Sequence, residues 1–346
     1  MAAKIFDVAH RANVSVSTVS NYLNRRLERM APATQARVQR AISELAFSPS
    51  RVARQLKTGQ SDIIGLVVPS VANPFFGQLA MAIQTAAQAR GYQTLLYNTR
   101  RDAGSELAIA RELAAFGVRG LITGSAPLNE QHASALADCG LAVVAFDARA
   151  RNLQDDRVDV VSLDNGAAMA LAVGHLVELG HRRIVYVTAP TRTASRTGRL
   201  AGFQQAVALH GLEAEASIHE IMVAGDSHGD DMIAELGRSA AGNIAAINSR
   251  PTAVVAMNDI LAIGLSAGFR EVGLRIPDAL SLVGIDDLFL ASLGNPPLTT
   301  VRQPLGQMAE AAIESIVARL EGRSPGPRNY IFAPELVVRQ STAGPT

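Results

Sequence analysis

The sequence predicts an α/β protein in two unlike parts, a small all-helical head and a large body built on parallel β-sheets. Three observations carry the prediction. Over the first 48 residues the apolar side chains recur at helical spacing. From residue 62 onward, short β-branched runs alternate with helical stretches. Charge divides at the same place. Residues 1–60 hold ten Lys or Arg against three acids, net +7, and the other 286 residues carry net −6, which gives the chain its +1. At 346 residues and 48% hydrophobic, the chain has room for two or three domains with large cores.

The head opens with IFDVAHRANVS, where Ile5, Val8, Ala9 and Ala12 fall at i, i+3, i+4 and i+7. Asn13 follows, a residue that tolerates the left-handed backbone of a tight turn. Ser15 is a good N-cap for a second helix, VSTVSNYLN. Helix, short turn, helix is the helix-turn-helix layout. A third helix fits ATQARVQRAISELAF, with Val38, Ile42 and Leu45 on one face and Pro49 as its stop.

On a helical projection from Val16, the residues Ser17, Ser20, Asn21 and Asn24 share one arc of roughly 140°. Thr18, Val19, Tyr22 and Leu23 fill the other side. One face can pack on the other two helices. The opposite face is short, polar and uncharged, as a face that approaches base edges in a major groove needs to be. Asn pairs with adenine, Ser with several bases, and Val methyls meet the thymine methyl. Val16, Ser17 and Asn21 are therefore the expected base readers, and Ser20 and arginines such as Arg25, Arg51 and Arg54 the expected phosphate contacts. A basic head on an acidic body suits a polyanion that meets the head only. The plainer reading is a solvated face of an ordinary three-helix bundle.

Residues 49–60, PSRVARQLKTGQ, join head to body. Val52 and Leu56 are i, i+4, with Ala53 beside them and Arg51, Arg54 and Lys57 around the stripe. A helix this short is unstable alone, so it would fold only against a partner or DNA. The alternative is a flexible linker.

In the body, the strand candidates are IIGLVV, TLLYN, GLIT, AVVAF, VDVVSL, RIVYVT, IHEIMV, TAVVAM and LSLVG. Strand–helix alternation predicts parallel sheets covered on both faces, arranged as two lobes. Ligands in such folds bind beyond the carboxyl ends of the strands. Asp147, Asn258, Asp259, Asp286 and Asp287 all stand at predicted strand ends, and Asn73 caps a helix that begins at Pro74. Carboxylates, amides and guanidinium groups such as those of Arg196 and Arg199 suit an uncharged polyhydroxyl ligand. Asp259 and Asp287 read as helix-start charges rather than ligands, and Phe75 or Phe76 equally as core.

Enzyme classes fit poorly. GDSHG at 225–229 matches a nucleophile elbow, but that hydrolase order needs a later histidine, and the last one is His228. No dinucleotide or Walker phosphate cradle occurs, and nothing calls for a cofactor. Asp226, His228, Asp230 and Asp231 are metal-capable but read as a loop before a helix; His175 and His181 flank a helix end. Cys139 alone excludes an internal disulfide framework and a multi-cysteine metal site. No apolar run approaches the length of a membrane span, and the N-terminus lacks a signal-peptide core, so a cytoplasmic protein is expected.

IFDVAHRANVSVSTVSNYLN followed by SPSRVARQLKTGQ resembles the head of the LacI/GalR family of bacterial repressors. The likeness runs on through IGLVVPSVANPFF, VSLDNGAAMALAVGHLVELGHRRIVYV, RLAGF, MNDILAIG, VGIDD, PPLTTVRQP and PELVVRQST, in the family's order. It implies a helix-turn-helix domain over 1–48, a hinge over 49–60 and a periplasmic-binding-protein-like body over 61–346. Three crossings between lobes are expected near 161, 291 and 323. They give a first lobe of about 61–161 and 292–323 and a second of about 162–291 and 324–340. It further implies a homodimer on near-palindromic operator DNA, paired hinges pressing Leu56 into the minor groove, and effector contacts at Phe75, Phe76, Asp147, Arg199, Asn258, Asp286 and Gln303.

The sequence departs from the family at Asn13, usually Gly, and at Asn21, often Arg, which leaves one base preference open. Ser227 stands where sugar-binding members often place a stacking aromatic, and Ala148 where pentose-binding members often have Arg. The expected function is a transcriptional repressor controlled by a small effector, a sugar or sugar derivative. The alternatives are a non-sugar corepressor, or a sugar receptor without regulation. No leucine heptad follows PELVVRQSTAGPT, so a dimer is expected rather than a tail-made tetramer.

Overall fold

The computed structural model describes residues 3–23, 26–28, 30–48, 61–124, 129–147, 156–190, 193–221, 232–323 and 326–346. The chain divides into two compact units, Met1–Ser61 and Asp62–Thr346. No helix among the described residues is long and apolar enough to cross a membrane.

The first unit holds α1 (Ile5–Ala12), α2 (Val16–Leu23) and α3 (Pro32–Glu44). Val8, Ala9, Ala12, Val19, Val38 and Ala41 form its buried core. Asn13 adopts the expected left-handed conformation, φ 51°. Its amide and that of Val14 cap α1 by donating to the His10 and Ala9 carbonyls. Ser15 Oγ accepts from the Thr18 amide at 3.1 Å and so caps α2. α3 stops before the expected Pro49. Ala46 turns left-handed, φ 44°, and the Ala46 and Phe47 amides donate back to Ser43 and Ile42, so the stop is a local C-cap.

The second unit contains two six-stranded sheets. The first is built from β1 (Ile63–Val68), β2 (Gln93–Asn98), β3 (Gly120–Thr123), β4 (Ala142–Phe146), β5 (Val158–Leu163) and β11 (Asn329–Phe332), in the order β11-β5-β4-β3-β1-β2, all parallel. On one face α4 (Pro74–Ala89) and α12 (Leu305–Leu320) bury Leu79, Ile83, Ile313 and Ile316 against Ile64, Leu66 and Val68. On the other, α5 (Ala103–Ala115) and α6 (Glu130–Ala137) bury Leu113 and Leu136 against Val67, Val143 and Val158. Residues 64, 66 and 68 face one way and 67 the other, the period of two that a strand imposes.

The second sheet takes β6 (Ile184–Thr188), β7 (Ser217–Glu220), β8 (Ala253–Ala256), β9 (Ser281–Asp286), β10 (Thr299–Arg302) and β12 (Glu335–Val337), in the order β12-β10-β9-β8-β6-β7, with β12 alone antiparallel. Its core joins α7 (Asn165–Glu178), α8 (Ala194–Leu209), α9 (Ile233–Ala245) and α10 (Asp259–Glu271), and a short α11 (Phe289–Leu293) follows β9. His181, 2% exposed, contacts the Thr252 and Ser281 hydroxyls and the Ala343 carbonyl, and His175 meets Thr342. Both histidines thus hold the C-terminal segment on this lobe.

The crossings expected near 161, 291 and 323 need correction. β5 ends at Leu163 and α7 belongs to the second lobe, so the first lies at Asp164. β10 still pairs with β9 of the second sheet, and α12 then packs on the first, so the second lies at Gln303–Pro304. β11 pairs with β5 and β12 with β10, so the third falls between Phe332 and Glu335. The segment TTVR escapes the strand pattern because it is short and bracketed by prolines at 296, 297 and 304. Arg319 of α12 grips both carboxylate oxygens of Asp159 on β5, at 2.6 and 2.8 Å, which fixes α12 in the first lobe.

Candidate functional site

In the head, α2 lies with Val19 fully buried and Tyr22 and Leu23 packed beside it. Ser17 and Asn21 are exposed on the opposite face, and Ser20 is half-buried. Val16 is also half-buried and packs against the core, so it offers an edge rather than a whole side chain. Arg25, Arg51, Arg54 and Leu56 lie outside the described residues, as do the rest of the hinge, Ala148 and the 225–231 segment with Ser227. Phe6 on α1, which periodicity alone did not single out, stands 70% exposed. Its place outside the Ile5–Val8–Ala12 stripe was the available signal.

In the body, all seven expected effector residues line one cleft between the lobes. The first lobe supplies an apolar wall. Asn73 Oδ1 accepts from the Phe75 amide at 3.1 Å and starts α4, so Phe75 and Phe76 enter the cleft on its first turn. Their rings meet edge to face, centroids 5.1 Å apart. Phe146, Leu79 and Met308 complete this wall.

The second lobe supplies the polar wall. Asp286 ends β9 at φ 125°, a backbone that L residues rarely adopt. Its Oδ1 accepts from Gln303 Nε2 at 2.7 Å and lies 3.6 Å from Arg199. Arg199 is buried; its Nε donates to Asn165 Oδ1 at 3.0 Å and its Nη1 to the Met257 carbonyl. Asn258 caps α10 by accepting from the Leu261 amide through Oδ1. Asp147, left-handed at φ 56° after β4, reaches across from the first lobe to Ser195.

Burial dominates the electrostatics. It raises the Asp286 carboxyl to about 6, against the pull of Arg199 and Gln303. Burial also raises Asp147, opposed by the Ser195 hydrogen bond and by Arg101 and Arg199. Asp259 sits behind this wall, fully buried, accepting from the Leu288 amide and the Thr300 hydroxyl. Desolvation and then the Asp286 charge lift it to about 7. Asp287 pairs with Arg339 and Arg302 instead; although burial pushes its carboxyl up, those partners hold it below its ordinary value. Asp259 and Asp287 are thus structural, as their helix-start reading allowed. Arg196, named with Arg199 as a guanidinium candidate, also lines the cleft, and Ser195, Asn165 and Arg101 line it unforeseen. Only folding brings the first lobe's Asp147 and Arg101 to them.

A helix-turn-helix head and a two-lobed body around a polar cleft define a class of protein, the DNA-binding regulator that carries its own small-molecule receptor. Known proteins agree. The profile described as "Bacterial regulatory proteins, lacI family" matches residues 4–50, and "Periplasmic binding protein-like domain" matches 173–342. The "HTH-type transcriptional repressor PurR" of Photobacterium profundum is 31% identical over 340 residues, 98% of each chain. Among solved structures, a lac repressor dimer bound to operator and the anti-inducer ONPF superposes with a TM-score of 0.84 at 27% identity, covering 99% of this chain and 100% of that one. The transcriptional regulator CelR–cellobiose complex superposes at 0.70 and 26% identity, covering 98% and 99%. The chain belongs to the LacI family of bacterial regulatory proteins and is a DNA-binding transcriptional regulator, not an enzyme.

Proposed function

We propose that the protein is a homodimeric repressor, working in the cytoplasm, whose hold on a near-palindromic operator is set by a sugar or sugar derivative in the cleft. The observation that carries the effector reading is the Arg199–Asp286–Gln303 chain facing the Phe75–Phe76 wall. A pyranose or furanose has an apolar C–H face for the rings and vicinal hydroxyls for a carboxylate and two amides. The cellobiose bound by the CelR relative supports the same chemistry. Phe75, Phe76, Asp147, Arg199, Asn258, Asp286 and Gln303 are the proposed contacts.

In the head, Ser17 and Asn21 with the edge of Val16 read bases, Phe6 adds an apolar contact, and Ser20, Arg25, Arg51 and Arg54 hold phosphates. Leu56 wedges the minor groove. The dimer is supported by the likeness to the lac repressor dimer bound to operator. Effector binding changes the lobe arrangement and, through the hinge, operator affinity, with a coupling of about 1–3 kcal/mol.

A melting-temperature screen against pentoses, hexoses, disaccharides, sugar acids, sugar phosphates and purine bases tests the effector. A ligand at 100 times its Kd adds about 2.7 kcal/mol to the native state. A purine hit would make the ligand a flat heterocycle on Phe75. Selection of operator DNA from a random pool, with binding that falls steeply as salt rises, tests the DNA half. A body that binds sugar while the chain selects no DNA would be a receptor without regulation.

A further inference from the structure

We infer that Asn165 is a positioning residue for the effector: it orients the Arg199 guanidinium and ties it to the first crossing between the lobes. The inference rests on the effector reading above. Asn165 opens α7, two residues after β5 ends and one after the chain changes lobes. Its Nδ2 donates to the Leu163 carbonyl at 3.2 Å, which fixes the amide and turns Oδ1 toward Arg199 Nε, 3.0 Å away. Leu163 is the last residue of the first sheet at this point, so one side chain joins the end of one lobe to the buried cation of the other.

Asn165 is not needed to cap its own helix. Asp164 does that, accepting from the Ala167 amide at 2.9 Å. The neighbouring helix is instead shaped to reach Asn165. A Cβ on Gly198 would lie 2.9 Å from Asn165 Cβ, and one on Gly202 would lie 2.9 Å from Gly166 Cα. Two glycines four apart on α8 thus let its backbone touch the start of α7, and Arg199 follows the first of them. A guanidinium donates in a fixed plane, so fixing Nε fixes where both Nη groups point. Here they meet the Met257 carbonyl and Asp286. Without the Asn165 acceptor a buried N–H loses its partner and the fork is free to turn away from Asp286.

The test uses full-length N165A, with N165S as a second, smaller change should N165A fold poorly, and R199K, which keeps the charge but has no fork. Calorimetry with cellobiose, D-glucose, D-ribose, D-xylulose and hypoxanthine selects the tightest probe for the unmodified protein. That probe weakens about tenfold or more in N165A, a typical effect of orphaning a charged donor. In the R199K background the same Asn165 change adds no further weakening. Without any probe, the Arg199 Nε–H signal, assigned by its loss in R199K, exchanges faster with solvent in N165A. Unchanged probe affinity, unchanged exchange, or full additivity with R199K overturns the inference while leaving the effector reading intact. No binding by any probe to the unmodified protein overturns the effector reading and this inference together.

Discussion

Ser195, in the first turn of α8 in the second lobe, donates both its amide and its hydroxyl to Asp147 of the first, at 2.5 and 2.8 Å. Each carboxylate oxygen takes one bond, so the pair links the two lobes across the cleft. The geometry has a local cause on each side. Asp147 leaves β4 left-handed, and Thr193 caps α8 so that the Ser195 amide points outward into the cleft. A cleft ligand that competes for either partner would act directly on this link.

Ser195→Ala keeps the amide bond and removes the hydroxyl bond. A hydrogen bond to a charged group contributes about 1.5–3 kcal/mol. The ligand-free variant is expected to sample a wider cleft, read as a larger radius of gyration in small-angle scattering. An unchanged radius would show that closure is held elsewhere.

The cleft was half legible in the sequence, for a physical reason. Asp147, Asn258 and Asp286 each end a β-branched run, and a parallel sheet collects its strand ends on one edge, so periodicity marked each of them; that the edges of two separate sheets face one cleft was implied only by the family likeness. Ser195 and Asn165 sit in helix starts that resemble many others, and their partners lie 48 and 34 residues away. Gln303 was reachable only through the family likeness, because the strand before it reads as a loop. The same blindness displaced the second crossing by about a dozen residues. In the head, the 3.6-residue period gave the faces of α2, but the half-burial of Val16 depends on how α2 packs on its neighbours.

Asp259→Asn is expected to flatten the pH dependence of stability. A carboxyl raised from its ordinary 3.8 to about 7 binds its proton more tightly in the native state. It therefore favours folding while protonated, fully so below about pH 4, and that contribution is lost as pH climbs through 7. Asp259 and Asp286 titrate as a pair, so the loss is shared. Asparagine mimics the protonated form: Oδ1 accepts from the Leu288 amide and Nδ2 donates to the Thr300 hydroxyl. The variant should melt on the order of 2–4 °C higher than its parent at pH 8 and level with it at pH 4.5. Burial lowers His175 and His181, which costs stability below their ordinary 6.5, but equally in both proteins. A constant difference across pH would remove the proposed proton linkage.

Gly264→Ala should cost far more than a surface methyl normally does. A Cβ at this position collides with the Ala234 carbonyl oxygen and carbon, backbone atoms that cannot rotate aside. Gly268, one turn on, meets the Arg238 carbonyl in the same way. The two glycines let α10 lie directly on α9. The expected loss is at least about 1–3 kcal/mol, read as a lower Tm. Gly242→Ala, which meets nothing within 4 Å, is the matched control and should be neutral or slightly stabilising. Equal effects at the two sites would contradict the close approach.

Asn21→Ala separates reading from holding. Asn21 is exposed and uncharged on the polar face of α2, and an asparagine there can give and take a hydrogen bond with adenine in the major groove. Removing it should cost about 1–3 kcal/mol on the preferred operator and relax the preference at one base pair in each half-site. The slope of affinity against salt should stay as it was, because no phosphate contact is lost. Arg26→Ala, a neighbouring charge change at an exposed position, should do the reverse if it holds a phosphate: a shallower slope and uniform weakening on all sequences. A variant at Asn21 that weakens every sequence equally would move this residue from the base readers to the phosphate contacts.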